Sequence, residues 1–251
     1  MIYFVGAGPG DPELITVKGS RLLSEADVVV YTGSLVNPEV LHYCRPGTQI
    51  YNSAGMDLVE IIDLMQKAVN EGKKVVRLQT GDPSLYGAIQ EQMDALSAIN
   101  IPFSVTPGVS SFFAAAAAIP RELTLPGISQ TVILTRIEGR TPVPDTEKLS
   151  DLARHRCTMC IFLSVHLIDT VVEELLSGGY THDTPVVIVE RASWPEERVV
   201  KGTMSTISRL IKEAGITRTA MILVGQAFGA DYQPSKLYDK NFAHGYRGQQ
   251  Q

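Results

Sequence analysis

Two turns that share Gly-Asp-Pro constrain the fold of this chain more than any other feature in it. The first, Gly6-Ala7-Gly8-Pro9-Gly10-Asp11-Pro12, follows the apolar run Ile2-Tyr3-Phe4-Val5. The second, Thr80-Gly81-Asp82-Pro83, follows Val75-Val76-Arg77-Leu78. Each stands after a strand-like segment and before a helix-like one. That order is the unit of an open parallel sheet, where loops at the C-terminal ends of strands line the ligand crevice. Glycine there lets the backbone approach a ligand closely, and proline stiffens the turn. One motif at two such loops predicts that both close on a single small molecule.

The first turn comes close to the dinucleotide fingerprint and departs from it informatively. Gly6 and Gly8 fill the first two glycine positions, but the third falls on Asp11. A nicotinamide site also calls for an acid at the end of the second strand, about 20 residues on, to hold the ribose. Here the second run, Val28-Val29-Val30-Tyr31-Thr32, ends in Gly33-Ser34, and Asp27 stands at its start. The dinucleotide reading fails. A tight turn with no ligand remains the alternative for a lone Gly-x-Gly.

Around these turns the chain alternates as a βα architecture requires. Strands are predicted at residues 2–5, 27–31, 49–51, 75–78 and 103–106, and helices at 14–25, 38–43, 57–71, 85–98 and 110–118. The third helix carries Leu58, Ile61, Ile62, Met65 and Val69 at helical spacing, with Asp57 and Glu60 as a capping-box pattern. Ile119-Pro120 and Leu125-Pro126-Gly127 then mark a linker. Beyond it, strands are predicted at 131–135, 158–163, 185–190, 198–202 and 220–225, and helices at 146–154, 167–176 and 205–213. The runs near Glu190 and Arg198, with Trp194-Pro195 between them, read as a hairpin, so this half carries a mixed sheet. The expectation is two α/β domains, 1–118 and 119–229, and a polar tail, 230–251, that is frayed or docked on a partner.

Composition narrows the function classes. The 251 residues, 44% hydrophobic and 20% charged, suffice for a full core. A net charge of -5 argues against general nucleic-acid binding while leaving room for a local basic pocket. The alanine run 114–118 is far too short to span a bilayer, and the first apolar run meets glycine at Gly6, unlike a signal peptide. A cytoplasmic protein is predicted. Cys157-x-x-Cys160 has no second pair at zinc spacing and continues into Ile161-Phe162-Leu163, so these cysteines read as core. No metal site is assigned.

Together these segments resemble the tetrapyrrole methylases, a family dependent on S-adenosylmethionine, from Tyr3 to about Phe228. The likeness is carried by Val5-Gly6-Ala7-Gly8-Pro9-Gly10-Asp11-Pro12-Glu13-Leu14-Ile15-Thr16 with Lys18-Gly19, by Thr80-Gly81-Asp82-Pro83, and by Pro107-Gly108-Val109-Ser110-Ser111. Ser53-Ala54-Gly55-Met56, residues 81–89 and above all residues 130–144 resemble the branch that methylates C11 of precorrin-4 in cobalamin biosynthesis. The resemblance implies a class III methyltransferase-like fold, two α/β domains with the cofactor between them, and a homodimer. It implies cofactor contacts from Pro9, Thr80, Gly81, Asp82, Leu85, Tyr86, Ser110 and Ser111, and, by strand pattern, from Leu163, Ala192, Ala220 and Met221 of the second domain. S-adenosylhomocysteine is the implied product.

The residues leave alternatives open. Asp82 also suits a helix cap, Pro9 a plain turn, and Ser110-Ser111 an ordinary helix start. The implied acceptor, a ring-contracted tetrapyrrole with acetate and propionate arms, calls for arginine forks. Arg121, Arg136, Arg140 and Arg191 are the candidates, against surface solvation of each. No catalytic base is identified; Glu122, Glu138 and Asp82 are unranked. The rivals are a methyltransferase acting elsewhere on the ring or on a cobalt-loaded acceptor, a relative that methylates RNA or diphthamide, and a non-catalytic cofactor-binding module.

Overall fold

In the computed structural model, which describes residues 1–139, 141–229, 232, 234–239 and 242–243, the first apolar run becomes β1 (Ile2–Gly6). Successive strand residues point to opposite faces. Ile2 and Phe4 therefore enter one apolar cluster and Val5 another. The neighbours β2 (Val28–Tyr31) and β4 (Val75–Gln79) divide alike, Val28, Val30 and Val75 on the first face, Val29, Val76 and Leu78 on the second. A strand apolar on both faces has to be covered on both. Helices α2 (Leu58–Asn70) and α3 (Gln90–Ala98) cover one face, and α1 (Val17–Ser24) the other. With β3 (Gln49–Asn52) and β5 (Phe103–Thr106) as edges, the order is β3-β2-β4-β1-β5, and every pair is parallel. Helix α4 (Ser111–Ala118) follows β5.

Several helices are shorter than their apolar pattern, each for a local reason. Thr16 Oγ1 accepts from Gly19 N at 3.0 Å and so starts α1 at Val17, leaving Pro12–Leu14 as a 3-10 turn. Pro38–Tyr43 is 3-10 rather than α. The helix predicted at 85–98 begins only at Gln90, because Tyr86 and Ala88 take left-handed φ of 54° and 49°. Helix α2 carries the predicted capping box, with Glu60 N to Asp57 Oδ1 and Asp57 N to Glu60 Oε2 both at 2.9 Å.

The second sheet is mixed, as the hairpin pattern predicts. It comprises β6 (Val132–Arg136), β7 (Thr158–Phe162), β8 (Pro185–Glu190), β9 (Arg198–Thr203) and β10 (Ala220–Val224), in the order β6-β7-β10-β8-β9. Only β6 and β7 run parallel; the other pairs are antiparallel. Its core gathers Met159, Ile161, Ile188 and Ile222 with Leu149 of α5 (Leu149–Ala153), Val171 and Leu175 of α6 (Ile168–Ser177), and Ile207 and Ile211 of α7 (Ile207–Ala214). The helix predicted at 146–154 splits into a 3-10 turn, Asp145–Glu147, and the short α5. Cys157 and Cys160 are buried and unpaired by disulfide. Burial pushes the Cys160 thiol up to about 12.

The chain divides into two compact units, Met1–Ala115 with Arg191–Glu197, and Ala116–Glu190 with Arg198–Gln251. The boundary drawn from sequence falls three residues later, and it leaves 191–197 in the second domain; these residues group with the first unit. Most of the polar tail lies outside the described residues. Among the described residues, no helix is long and apolar enough to cross a membrane.

Candidate functional site

Parallel register brings the ends of β1 and β4 level, with Gly6 opposite Gln79, and the loops that follow them pair. Gly81 N donates to Gly8 O at 2.8 Å, and Gly8 N to Gly81 O at 3.3 Å. The loop after β5 closes on both. A Cβ on Gly108 would stand 2.2 Å from Gly81 O and 2.8 Å from Gly6 Cα; one on Gly6 would stand 2.6 Å from the same carbonyl. Glycine at Gly6 and Gly108 thus serves loop-on-loop approach. Gly81 is required for a different reason, its left-handed φ of 58°. The three signature segments form one knot.

Asp82 ties that knot. Its Oδ2 accepts from Gly108 N at 2.9 Å, while Oδ1 accepts from Ser84 N at 2.9 Å and from the Ser84 hydroxyl. Burial raises its pKa, but the hydrogen bonds from Ser84 and Gly108 outweigh burial and hold the carboxyl below its ordinary value. The sequence offered Asp82 as a cap for a helix starting near Ser84, but no helix begins there; the side chain closes a local Asx turn instead, and its bond to Gly108 was not legible in the sequence. Ser110 and Ser111 abut Gly81, with Ser110 Cα 3.7 Å from the position its Cβ would take. Thr80 donates its hydroxyl to Leu35 O at 3.3 Å. Leu85 N donates to Asp82 O at 3.2 Å, and the Tyr86 that follows is 45% exposed.

The Pro9 turn is held from outside its own loop. Trp194 Nε1 donates to Pro9 O at 2.9 Å, Asn37 Nδ2 to Gly10 O at 2.9 Å, and Asp11 N to Ser193 Oγ at 3.0 Å. A Cβ on Gly10 would stand 2.0 Å from Trp194 Cδ1, so the indole occupies the space a side chain would need. Ala192, buried, belongs to this same segment and hence to the first unit. Sequence reasoning treated Trp194 only as part of a hairpin turn; its one available signal was being the single tryptophan of the chain.

The other candidates are more scattered. Leu163, at the end of β7, has a left-handed φ of 55° and is 57% exposed, an unusual state for leucine. Met221 is buried at a position paired with Val189, and Ala220 is only partly covered. Arg136 donates to the carbonyls of Ile137, Thr141 and Pro142 at 3.4, 3.0 and 2.7 Å, bracing its own loop. Arg191 pairs with Glu196 at 3.5 Å and lies over the Trp194 ring at 5.8 Å. The Arg121 guanidinium has no hydrogen-bond or ion-pair partner among the described residues. Arg140 lies outside the described residues. Arg77 was missed: it is 2% exposed and donates to Gln92 Oε1, Val30 O and Ser53 Oγ at 2.9–3.1 Å. Burial lowers its pKa to about 10.

The charge of the knot limits its ligand. Residues 6–12, 80–86 and 107–111 contain no lysine or arginine, and their only ionised groups are Asp11 and Asp82. Such loops repel a pyrophosphate and suit a ligand bearing positive charge, as a sulfonium with an α-amino group does. Beneath them, Gln79 Nε2 and Thr106 Oγ1, at the ends of β4 and β5, are buried without a hydrogen-bond partner among the described residues. Polar atoms left so are uncommon and mark a place where a ligand or water completes the structure. These features fit S-adenosylmethionine.

Comparison with known proteins agrees with that geometry. A cobalt-precorrin-4 C(11)-methyltransferase of Methanocaldococcus jannaschii is 59% identical over 247 residues, 98% of this chain and 95% of the relative. A solved cobalt precorrin-4 methyltransferase superposes with a TM-score of 0.89 at 50% identity, over 91% of this chain and 96% of that one. A uroporphyrin-III C-methyl transferase of Thermus thermophilus, solved with S-adenosylhomocysteine, gives 0.76 at 32% identity, over 91% of this chain and 93% of that one. Residues 1–208 match the family described as Tetrapyrrole (Corrin/Porphyrin) Methylases, and the chain belongs to that family.

Proposed function

We propose that the protein transfers the methyl group of S-adenosylmethionine to ring carbon C11 of precorrin-4, yielding precorrin-5 in cobalamin biosynthesis. One observation carries the reading: 98% of the chain aligns, at 59% identity, with an enzyme named for methylation at that carbon. When bound, S-adenosylmethionine supplies a methyl group that its sulfonium makes electrophilic. The chain's own task is to hold donor and acceptor in line and to exclude water, which calls for geometry rather than for a titratable triad. In this reading the knot of Gly6, Gly81 and Gly108 gives that geometry its stiffness, and Pro9, Tyr86 and Ser111 face the cofactor from it. Leu163 is a further contact, supported by its exposed apolar side chain on a left-handed backbone. Arg121, whose donors are uncommitted within the described residues, is the favoured anchor for an acceptor carboxylate, with Arg140 as the second.

A cobalt-loaded acceptor is the second reading. It is favoured by the names of relatives at 59% and 50% identity, which specify cobalt-precorrin-4. The metal there belongs to the substrate. The reading includes a cytoplasmic homodimer. Helix α4 supports the dimer: beyond Ser111 it has no polar side chain, yet Phe113 is 57% exposed.

Incubation of the pure protein with methyl-labelled S-adenosylmethionine and a panel of precorrins, with and without cobalt, tests this assignment. Label is expected at C11 of a precorrin-4 form. Label in uroporphyrinogen III instead, or in none of the panel, defeats it. Sedimentation velocity tests the dimer, which a Phe113→Glu variant is expected to dissociate.

A further inference from the structure

Three consecutive residues of the first signature turn have a backbone group engaged by a side chain distant in sequence. The Pro9 carbonyl takes the Trp194 indole N–H, the Gly10 carbonyl takes the buried Asn37 amide, and the Asp11 N–H binds Ser193 Oγ. These three bonds fix the backbone of the turn from outside its own loop. The segment that supplies Trp194 and Ser193 is itself held in a costly conformation. Arg191 and Ser193 both have left-handed φ, 48° and 68°, without being glycine. Such residues persist where their surroundings overdetermine them, and they concentrate at functional sites. Here the surroundings are visible: Ser193 N donates to Glu197 Oε2 at 2.7 Å, and Arg191 lies over the indole while pairing with Glu196. Gly10 completes the fit, because any Cβ there would strike the indole at 2.0 Å.

We propose that Trp194 and Ser193 are positioning residues for the methyl donor: they clamp the Pro9 turn so that it meets the cofactor already ordered. Binding to a turn fixed beforehand avoids the entropy of ordering it, and that saving appears as affinity. The proposal rests on the reading that this turn contacts S-adenosylmethionine. It gives Arg191 a place beside the clamp, over the indole. It also makes the single tryptophan a reporter of the site.

The test compares wild type, Trp194→Phe, Ser193→Ala and Gly10→Ala by calorimetric titration with S-adenosylhomocysteine, alongside tryptophan emission and steady-state kinetics. Trp194→Phe keeps an aromatic side chain beside the turn and removes the N–H donor together with part of the ring, so Ser193→Ala serves as the donor-loss comparison. Loss of one such hydrogen bond is expected to raise Kd about three- to tenfold, and Ser193→Ala similarly. The KM for S-adenosylmethionine rises in step while that for the tetrapyrrole stays unchanged, a split that general loosening of the fold does not produce. Gly10→Ala, which drives the indole off, is expected to weaken binding by about a hundredfold. In wild type, Trp194 emission changes saturably with the calorimetric midpoint. If Gly10→Ala weakens binding while Trp194→Phe and Ser193→Ala bind as wild type, the clamp is refuted and the cofactor reading of the turn survives. If wild type binds the ligand and all three variants do so equally well, both fall. Should Trp194→Phe fail to fold, Ser193→Ala and the wild-type emission decide: unchanged affinity with unresponsive emission overturns the proposal.

Discussion

Replacing Asp82 by asparagine is expected to loosen the three-loop knot by an amount that can be worked out from its hydrogen bonds. The carboxylate serves two sides, Ser84 through Oδ1 and Gly108 N through Oδ2 at 2.9 Å. An asparagine has one acceptor oxygen, so it satisfies one side and turns an N–H toward a donor on the other. The local Asx turn onto Ser84 N keeps that oxygen, so the amide N–H faces Gly108 N, and because Ser84 is exposed, losing its bond as well adds little. Gly108 N is partly buried, and a bond from it to a charged acceptor contributes about 1.5–3 kcal/mol. Asp82→Asn should lose that amount and Asp82→Ala only about 0.5 kcal/mol more. Urea unfolding followed by Trp194, which belongs to the same unit, is the assay. With a slope of about 2 kcal/mol/M, the midpoint falls by about 1 M. The pH dependence gives a second check. The folded pKa of Asp82 is lowered, so its stabilisation is complete above the unfolded value, about 3.9, and is lost as pH falls through that value towards the folded one. Wild type and Asp82→Asn should therefore converge in stability between pH 5 and acid extremes. A midpoint for Asp82→Asn within about 0.2 M of wild type at pH 7 refutes the reasoning, as do curves that stay parallel down to pH 3.

Further outcomes follow from other sites. Gly108→Ala places a Cβ 2.2 Å from a carbonyl oxygen and should cost about 3 kcal/mol, the top of the overpacking range, whereas Gly55→Ala, with nothing within 4 Å, should change stability by less than about 0.5 kcal/mol; equal urea midpoints for the two would refute the close approach. Arg77→Lys should destabilise by about 1–3 kcal/mol, since one ammonium cannot serve Gln92, Val30 and Ser53 in fork geometry, and thermal unfolding measures it. The Cys160 thiol, held up to about 12 by burial, stays neutral in the fold while the unfolded chain ionises near 8.5. Its contribution is whole below that pH and falls by about 1.4 kcal/mol per unit above it. Cys160→Val should therefore flatten the alkaline limb of the stability profile. Arg121→Ala should raise the tetrapyrrole KM about tenfold or more with the S-adenosylmethionine KM unchanged, whereas Arg136→Ala should chiefly lower thermal stability.

Much of the fold was legible because its causes are local. Val28-Val29-Val30 and Val75-Val76 are strand material wherever they occur, and Asp57 with Glu60 caps a helix using its own backbone. The signature loops were legible for the same reason, since glycine and proline act on the dihedrals of the turn that contains them. Local pattern misled where left-handed residues interrupt an amphipathic stretch. The amphipathic stretch 85–98 reads as one helix, but its first five residues are drawn into the loop after β4, with Tyr86 and Ala88 left-handed. The roles of single residues at the site were hidden for another reason. Gly6 and Gly108 are over a hundred residues apart in sequence, and only the parallel order of β4, β1 and β5 brings their backbones within reach of Gly81 O. Asp82 finds Gly108 by that route, and Trp194 finds Pro9 across 185 positions of chain. Hydrophobic periodicity and turn chemistry act within a few residues and are written in the sequence; contacts between loops depend on strand order and register, which exist only once the sheet has formed.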